Sequence, residues 1–365
     1  MKLIELHILQ SFPVSCLNRD DVGAPKTATF GGITRARISS QCLKRAIRLQ
    51  AKELCPELYG GEYSKLIVVP IAEATKRYGA PANQALEISQ KFCHGLATFD
   101  ESAFKKTGIR KVKALMFLSP SEREEIGKEL AAILKESKDA RTTDKKIQSA
   151  VSKVREAKLK DAADIALFGR MVATDHSLTV EGAAMFSHAL STHRADNDID
   201  FFSAVDDRQQ EDPTVEEESR AASGMIGTQE FVSAVYYRYV GLNLGLLGDD
   251  GHLGALSAKD RRRVVDTFLH AAILAIPGAR KNSMNAYTLP SYVLGLVKDK
   301  GQPLQLINAF EKPVWSRNGL MGASVASLKE HHEQLKKTWG IKPSLEIAIP
   351  DKSLDQFCAE ILSHV

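Results

Sequence analysis

In the opening "MKLIELHILQSF", Ile4, Leu6 and Ile8 alternate with Glu5 and His7, Lys2 lying nearby, which predicts a strand with one face in a core. Pro13 is expected to end it. From Ser39 or Ser40, either of them a suitable N-cap, the period changes, and Leu43, Ile47 and Leu54 recur at helical spacing until Cys55-Pro56, with Gly60-Gly61 beyond. Residues from about Ser64 to Gly182 read as mainly helical and polar, with breakers at Pro81, Gly108, Ser119-Pro120 and Gly169. Within that stretch Ile147, Val151 and Val154 share a face, and Lys145, Lys146, Lys153 and Lys160 project elsewhere, as on any solvated helix. "VEGAAMFSHALSTH" predicts a further helix. Asp196 to Arg220 has ten carboxylates, Pro213 and little periodicity, so a long exposed loop or hairpin is expected.

The strongest strand pattern is "QEFVSAVYYRYVGLNLGLL", where Val232, Ala234, Tyr236, Arg238 and Val240 face one way and Phe231, Val235, Tyr237 and Tyr239 the other. "AKDRRRVVDTFLHAAILAI" predicts a helix stopped by Pro277-Gly278, and "SYVLGLV" a glycine-spaced strand. A loop at "EKPVWSRNGLMGAS" and helices near Leu328 to Trp339 and Leu354 to Val365 complete the chain, which has no repeat of fixed period. Strand, helix, long helical insertion, strand, helix and strand together predict an α+β fold with a split sheet of the ferredoxin or RRM kind.

At 365 residues the chain can hold one large domain with insertions or two to three smaller ones. With 44% hydrophobic and 26% charged residues it is an ordinary globular composition, which excludes fibrous and disordered classes. No apolar run approaches the roughly 20 residues of a spanning helix, and the first residues are strand-like rather than a targeting leader, so a cytoplasmic protein with no membrane partner is expected. Five cysteines without a C-x-x-C pair point to reduced thiols, not to a disulfide framework or zinc knuckle.

A net charge of +4 announces no partner, but its distribution does. Between Asp21 and Glu53 lie Lys26, Arg35, Arg37, Lys44, Arg45, Arg48 and Lys52 and no acid. Arg35 and Arg37 are two apart on an extended segment, and Lys44, Arg48 and Lys52 are four apart on one helix face, so both are expected to project as rows. Like charges at that spacing cost a few tenths of a kcal/mol per pair; a polyanion would relieve them. Ser39, Ser40 and Gln41 at the helix start add donors where the helix dipole favours phosphate, and Gly31-Gly32 permits a close backbone approach. The same residues also suit an ordinary amphipathic helix after a glycine turn.

"SCLNRDDVGAPKTATFGGITRARISSQCLKRA" closely resembles the N-terminal block of the Cascade backbone subunit of type I-E CRISPR systems, the RAMP-like CasC group of the Cas seven family. The resemblance continues, in order, through "DIALFGRMVATD", "SHALSTH", "DNDIDFFSAVDD", "GTQEFVSAVYYRYVGLNL" and "IPGARKNSMNAY". It implies a right-hand architecture: an RRM-like palm from residues 1–60 and 227–365, a helical fingers insertion at 61–180, a palm connection at 181–193 and a thumb hairpin at 194–226. It also implies copies of the chain polymerised in a helical filament along one CRISPR RNA, with target DNA and other Cascade subunits as further partners and no cofactor.

By position, the resemblance gives phosphate contacts to Arg19, Lys26, Ser39, Ser40, Gln41, Lys44, Arg45 and Arg48, with Arg170, Arg280 and Lys281 as further candidates. Met171 and the Phe201-Phe202 pair match places where the family wedges apolar side chains beside a displaced base, although two such phenylalanines also suit a loop anchored to a core. Lys145, Lys146 and Lys153 resemble finger lysines that hold duplex DNA. Such contacts carry affinity while base pairing carries specificity.

No P-loop, G-x-S-x-G or dinucleotide fingerprint is present. Asp20-Asp21, the Asp196, Asp198 and Asp200 set, and His188 with His193 lack discriminating metal spacing, so no metal and no enzymatic activity are expected. The alternative is a backbone subunit that also cuts target RNA with Asp20 or Asp21, as in more distant relatives. A third class, a monomeric RNA-binding protein of chromosomal or ribosomal type, shares the basic segment.

Overall fold

The computed structural model describes residues 1–136, 140–154, 160–171, 179–204 and 225–365. Most of the acidic run after Asp200 therefore lies outside the described residues. The chain opens with β1 (Leu3–Ser15), the hairpin β2 (Thr27–Phe30) and β3 (Ile33–Ile38), and α1 (Ser40–Leu54). There follow β4 (Glu62–Ser64), α2 (Val68–Arg77), α3 (Ala82–Leu96), α4 (Glu101–Thr107), β5 (Met116–Leu118), α5 (Pro120–Glu136), α6 (Ala140–Val154) and α7 (Ala163–Phe168). Short β6 (Ala184–Phe186) and β7 (Ala189–Ser191) precede β8 (Asp198–Ala204) and the long β9 (Met225–Asn243). The last third holds α8 (Leu244–Gly248), α9 (Ala258–Leu274), β10 (Tyr292–Lys298), α10 (Leu320–Trp339), β11 (Leu345–Ile349) and α11 (Leu354–Leu362).

The main sheet is antiparallel in the order β11-β10-β1-β9-β7-β3-β2, and β6 and β8 also pair with β9. Helices α1, α9 and α11 cover one face, where Ile4, Leu6, Ile8, Ile47, Phe268 and Phe357 share a core. Helix α10, through Leu328, and a short turn at Ile307–Phe310 cover the other, against Leu9, Tyr237 and Tyr239. Between β4 and α7, helices α2, α3, α5 and α6 pack around a separate core that includes Ile71, Phe92 and Leu130. This is the mixed architecture with a helical insertion that the pattern predicts.

Several boundaries differ, each for a physical reason. Residues 180–193 form no helix: Ala184 pairs with Leu242 and Leu190 with Tyr237, so an available sheet edge on β9 overrides local helical spacing. β1 passes through Pro13 to Ser15 because its register against β9 shifts between Phe12 and Ser15, an irregularity where the missing proline N–H is tolerated. Helix α10 starts at Leu320, eight residues before its first predicted residue, and β11 was hidden in a short run of five. In α1, Leu54 is exposed, and Ala51 with Leu43 and Ile47 forms the inward face.

β1 is buried on both faces rather than one, so Glu5 and His7 lie inside. Glu5 accepts bonds from Tyr239 Oη (2.8 Å) and the Leu304 N–H (2.6 Å) and pairs with Lys298 Nζ at 2.6 Å. His7 Nδ1 meets Tyr237 Oη at 2.9 Å, and burial, assisted by His332 and Lys298, lowers its pKa to about 3, so it is neutral. Lys298→Met should destabilise the protein by about 3–5 kcal/mol, since it strands a buried carboxylate. Urea unfolding measures this; a loss below about 1 kcal/mol would contradict the internal pair.

Candidate nucleic-acid interface

Helix α1 begins with a side-chain cap: Ser39 Oγ accepts the Cys42 N–H at 3.3 Å, and the Ser39 N–H donates to Asn18 Oδ1 at 2.8 Å. Ser39 is thus spent on the helix and buried, while the Ser40 N–H donates to His188 Nδ1 at 3.0 Å and the exposed Gln41 accepts from the Ser40 hydroxyl at 3.4 Å. The first turn contains no acid.

The bases of α1 divide between two faces. Arg45 points into an open cleft of 690 Å³ between α1 and the loop after α9, whose walls include Leu17, Leu49, Ile276, Lys281 and Tyr287. Lys26 and Arg45 both lower the Cys42 thiol, whose pKa burial nevertheless raises, so the two cations gather at the head of the helix. Arg280 and Arg19 act in the same way on Cys16, again against a larger effect of burial. Arg45 and Lys281 line this cleft, Lys26 and Arg45 lie near Cys42, and Arg19 and Arg280 lie near Cys16. Arg280 holds φ = 53°, stabilised by a turn in which its carbonyl accepts from Ser283 N (3.1 Å) and Met284 N (2.7 Å), and its guanidinium reaches Gln229 Oε1 on β9.

Lys44, Arg48 and Lys52 share the other face, and there the chain supplies its own counter-charges. Arg48 lies over the rings of Tyr63 and Phe117 at 5.3 and 5.5 Å and pairs with Asp164 at 3.9 Å. Lys52 meets Glu62 at 3.9 Å, and Lys44 lies over the Phe186 ring at 5.4 Å, where burial lowers its pKa. The relief expected of a polyanion thus comes in part from carboxylates beyond α1, which the absence of acids within the segment concealed.

Two further bases are structural. Arg35 is fully buried instead of projecting with Arg37; its guanidinium donates to the carbonyls of Phe30 (3.2 Å), Ser191 (3.2 Å), Phe310 (2.7 Å) and Glu311 (3.3 Å). The close approach that Gly31 permits is to the Glu311 carbonyl, and both glycines have positive φ, as a two-residue hairpin turn requires. Arg170 is 6% exposed and donates to Glu122 Oε1 at 2.7 Å and the Phe117 carbonyl at 3.1 Å, so it is not placed on the surface as a phosphate contact requires.

Met171 is 81% exposed, and Phe201 and Phe202 stand out on β8, all of whose residues are exposed. Neither phenylalanine anchors a loop in the core; the Phe202 ring covers Gly227 across the hairpin. Lys145 is exposed on α6 and Lys146 pairs with Glu136 at 2.9 Å, while the Lys153 side chain lies outside the described residues. Asp20 Oδ1 accepts the N–H groups of Val22 (3.0 Å) and Ala24 (2.9 Å), closing its own loop, and Asp21 is exposed. His188 and His193 serve different backbone partners, His193 Nε2 accepting the Val235 N–H at 3.1 Å.

Asp164 joins α7 to α1 and to the Gly61 N–H (3.2 Å); burial, opposed by Arg48, pushes its pKa from 3.8 up to about 6. A carboxyl with a raised folded-state pKa holds its proton more tightly when folded, so its contribution declines as pH rises from about 4 to about 6. Asp164→Asn should therefore gain stability relative to the native chain on going from pH 4.5 to pH 7. Denaturant titrations at both values test this, and a pH-independent difference would refute it.

A family model described as CT1975-like protein matches residues 4–360. Among solved structures, a chain of a "CRISPR RNA-guided surveillance complex, pre-nicking" superposes with a TM-score of 0.79 at 24% identity, covering 99% of both chains. A chain of a "CRISPR RNA-guided surveillance complex" gives 0.68 at 21% identity over 100% of both. No curated protein matches. With nearly the whole length matched by one family model, this chain belongs to the CT1975-like protein family.

Proposed function

We propose that this protein is a non-catalytic backbone subunit of a type I-E Cascade antiviral complex, copies of which polymerise along one CRISPR RNA and present its bases to target DNA. The observation that carries the reading is likeness over the full length of both chains to a chain of an RNA-guided surveillance complex, joined to an open cleft along α1 that Arg45 and Lys281 line. The strand order β10-β1-β9-β7 with α1 and α9 on one face fits an RRM-like palm, the helices around Phe92 fit fingers, and the hairpin of β8 with β9 fits a thumb.

In this reading Arg19, Lys26, Arg45 and Lys281 hold guide phosphates, with Gln41 and the helix start beside them. Lys44 and Arg48 stiffen the wall behind, because their face of α1 is already packed against aromatic rings. Met171, Phe201 and Phe202 are exposed apolar side chains suited to wedging beside a displaced base, since every base has an apolar face. Asp20 is spent on its own loop, so in a subunit that cuts target RNA the exposed Asp21 would be the residue in that role.

Native mass spectrometry with single-stranded RNAs of increasing length, in magnesium, tests both points. Protein number should climb in even steps with RNA length and the RNA should be recovered intact; a fixed one-to-one complex, or regularly spaced cuts, would overturn the corresponding part. Arg45→Ala with Lys281→Ala should weaken guide binding equally for all sequences and reduce the slope of log affinity against log salt by about 1.4, two single-strand phosphate contacts. Filter binding at several salt concentrations measures it, and a sequence-selective loss would argue against phosphate contacts.

A further inference from the structure

The contact between α9 and α11 contains a donor set that nucleic-acid binding does not use. Asp266 and His270 stand one turn apart on α9, and Asp355 and Cys358 stand three residues apart on the facing α11. An oxygen of Asp266, a nitrogen of His270 and Cys358 Sγ lie within 4.8 Å of one another, the one such group of three or more potential ligands among the described residues. His270 Nδ1 faces the Asp266 main-chain carbonyl at 3.0 Å and Asp266 Oδ1 at 3.2 Å and so carries the ring proton, which leaves Nε2, 3.7 Å from Asp355 Oδ1, as the nitrogen open to a metal. We propose that Asp266, His270 and Cys358, joined by Asp355, bind one divalent transition-metal cation of the zinc type and so clip α11 to α9.

The charges favour a cation. Among the described ion pairs, both carboxylates are met only by His270. The Cys358 thiol is 1% exposed, so it faces the donor set from the protein interior. Two carboxylates thus converge on a thiol and an imidazole with no lysine or arginine between them. Nitrogen, sulfur and oxygen donors in one cluster select zinc, cobalt or cadmium over magnesium or calcium, which require oxygen alone. Ligand atoms on tetrahedral zinc are about 3.3–3.8 Å apart, so the cluster must contract slightly. The 95% exposed Asp355 side chain is free to move inward. Binding displaces the thiol proton to solvent and forms the metal–sulfur bond, with no change in oxidation state.

The test uses full-length, chelator-treated protein titrated with cobalt(II), then zinc(II). One equivalent of cobalt should bind per chain and produce a near-ultraviolet sulfur-to-cobalt charge-transfer band with visible bands of tetrahedral strength, which zinc abolishes. Both should be lost in Cys358→Ala and His270→Ala. Asp355→Asn, a surface change that leaves the core intact, should weaken binding and separates lost ligation from misfolding. Absence of a stoichiometric band, or a band that survives in Cys358→Ala, would overturn the site.

Discussion

The burial of β1 on both faces is the constraint from which the rest of the arrangement follows. From Leu3 to Gln10 every residue of the strand is buried, so its polar side chains must find partners inside. Glu5 takes Lys298, Tyr239 and the Leu304 backbone; His7 takes Tyr237; Gln10 donates to the Thr288 carbonyl at 2.7 Å and accepts from Arg238. These bonds tie β9, β10 and the segment around residue 304 to a single strand. Arg238 in turn donates to the Ala272 carbonyl at 2.6 Å, which seats α9 on the sheet.

Charge on α1 is divided by the same geometry. A helix packed against a sheet and an insertion has one flank turned inward and one outward, and lysines four apart fall on one flank together. The inward flank meets Tyr63, Phe117 and Asp164, and the outward flank keeps Arg45 beside Lys281 and Tyr287. One run of bases thus has two roles, docking the insertion and lining the cleft. Only the second needs a ligand.

Local pattern made the frame legible: alternation marked β1 and β9, a glycine-spaced apolar run marked β10, helical spacing marked α1 and α9, with a capping serine at α1, and a polar helical stretch marked the insertion. Features decided by partners distant in the chain were not visible. Arg35 has the look of a surface base until the carbonyls of Phe30, Ser191 and Phe310 close on it. Residues 184–191 have helical spacing until β9 offers an edge. Arg170 and Arg48 carry no local sign that Glu122 and Asp164 will neutralise them. Of the candidate site, the bases at the head of α1 could be read from charge alone, whereas the cleft's other wall depends on where α9 ends.

β9 is one uninterrupted strand of 19 residues, roughly 60 Å long at the usual rise per residue. Its first third pairs with β8, and at Phe231 and Val232 it passes directly from that partner to β1. No loop intervenes to act as a joint. A load applied to the hairpin, such as a neighbouring molecule pressing on its exposed phenylalanines, is transmitted as shear along a single backbone into the middle of the sheet. The hairpin works as the free arm of a cantilever whose fixed end is the core, so its reach and direction are set when the protein folds.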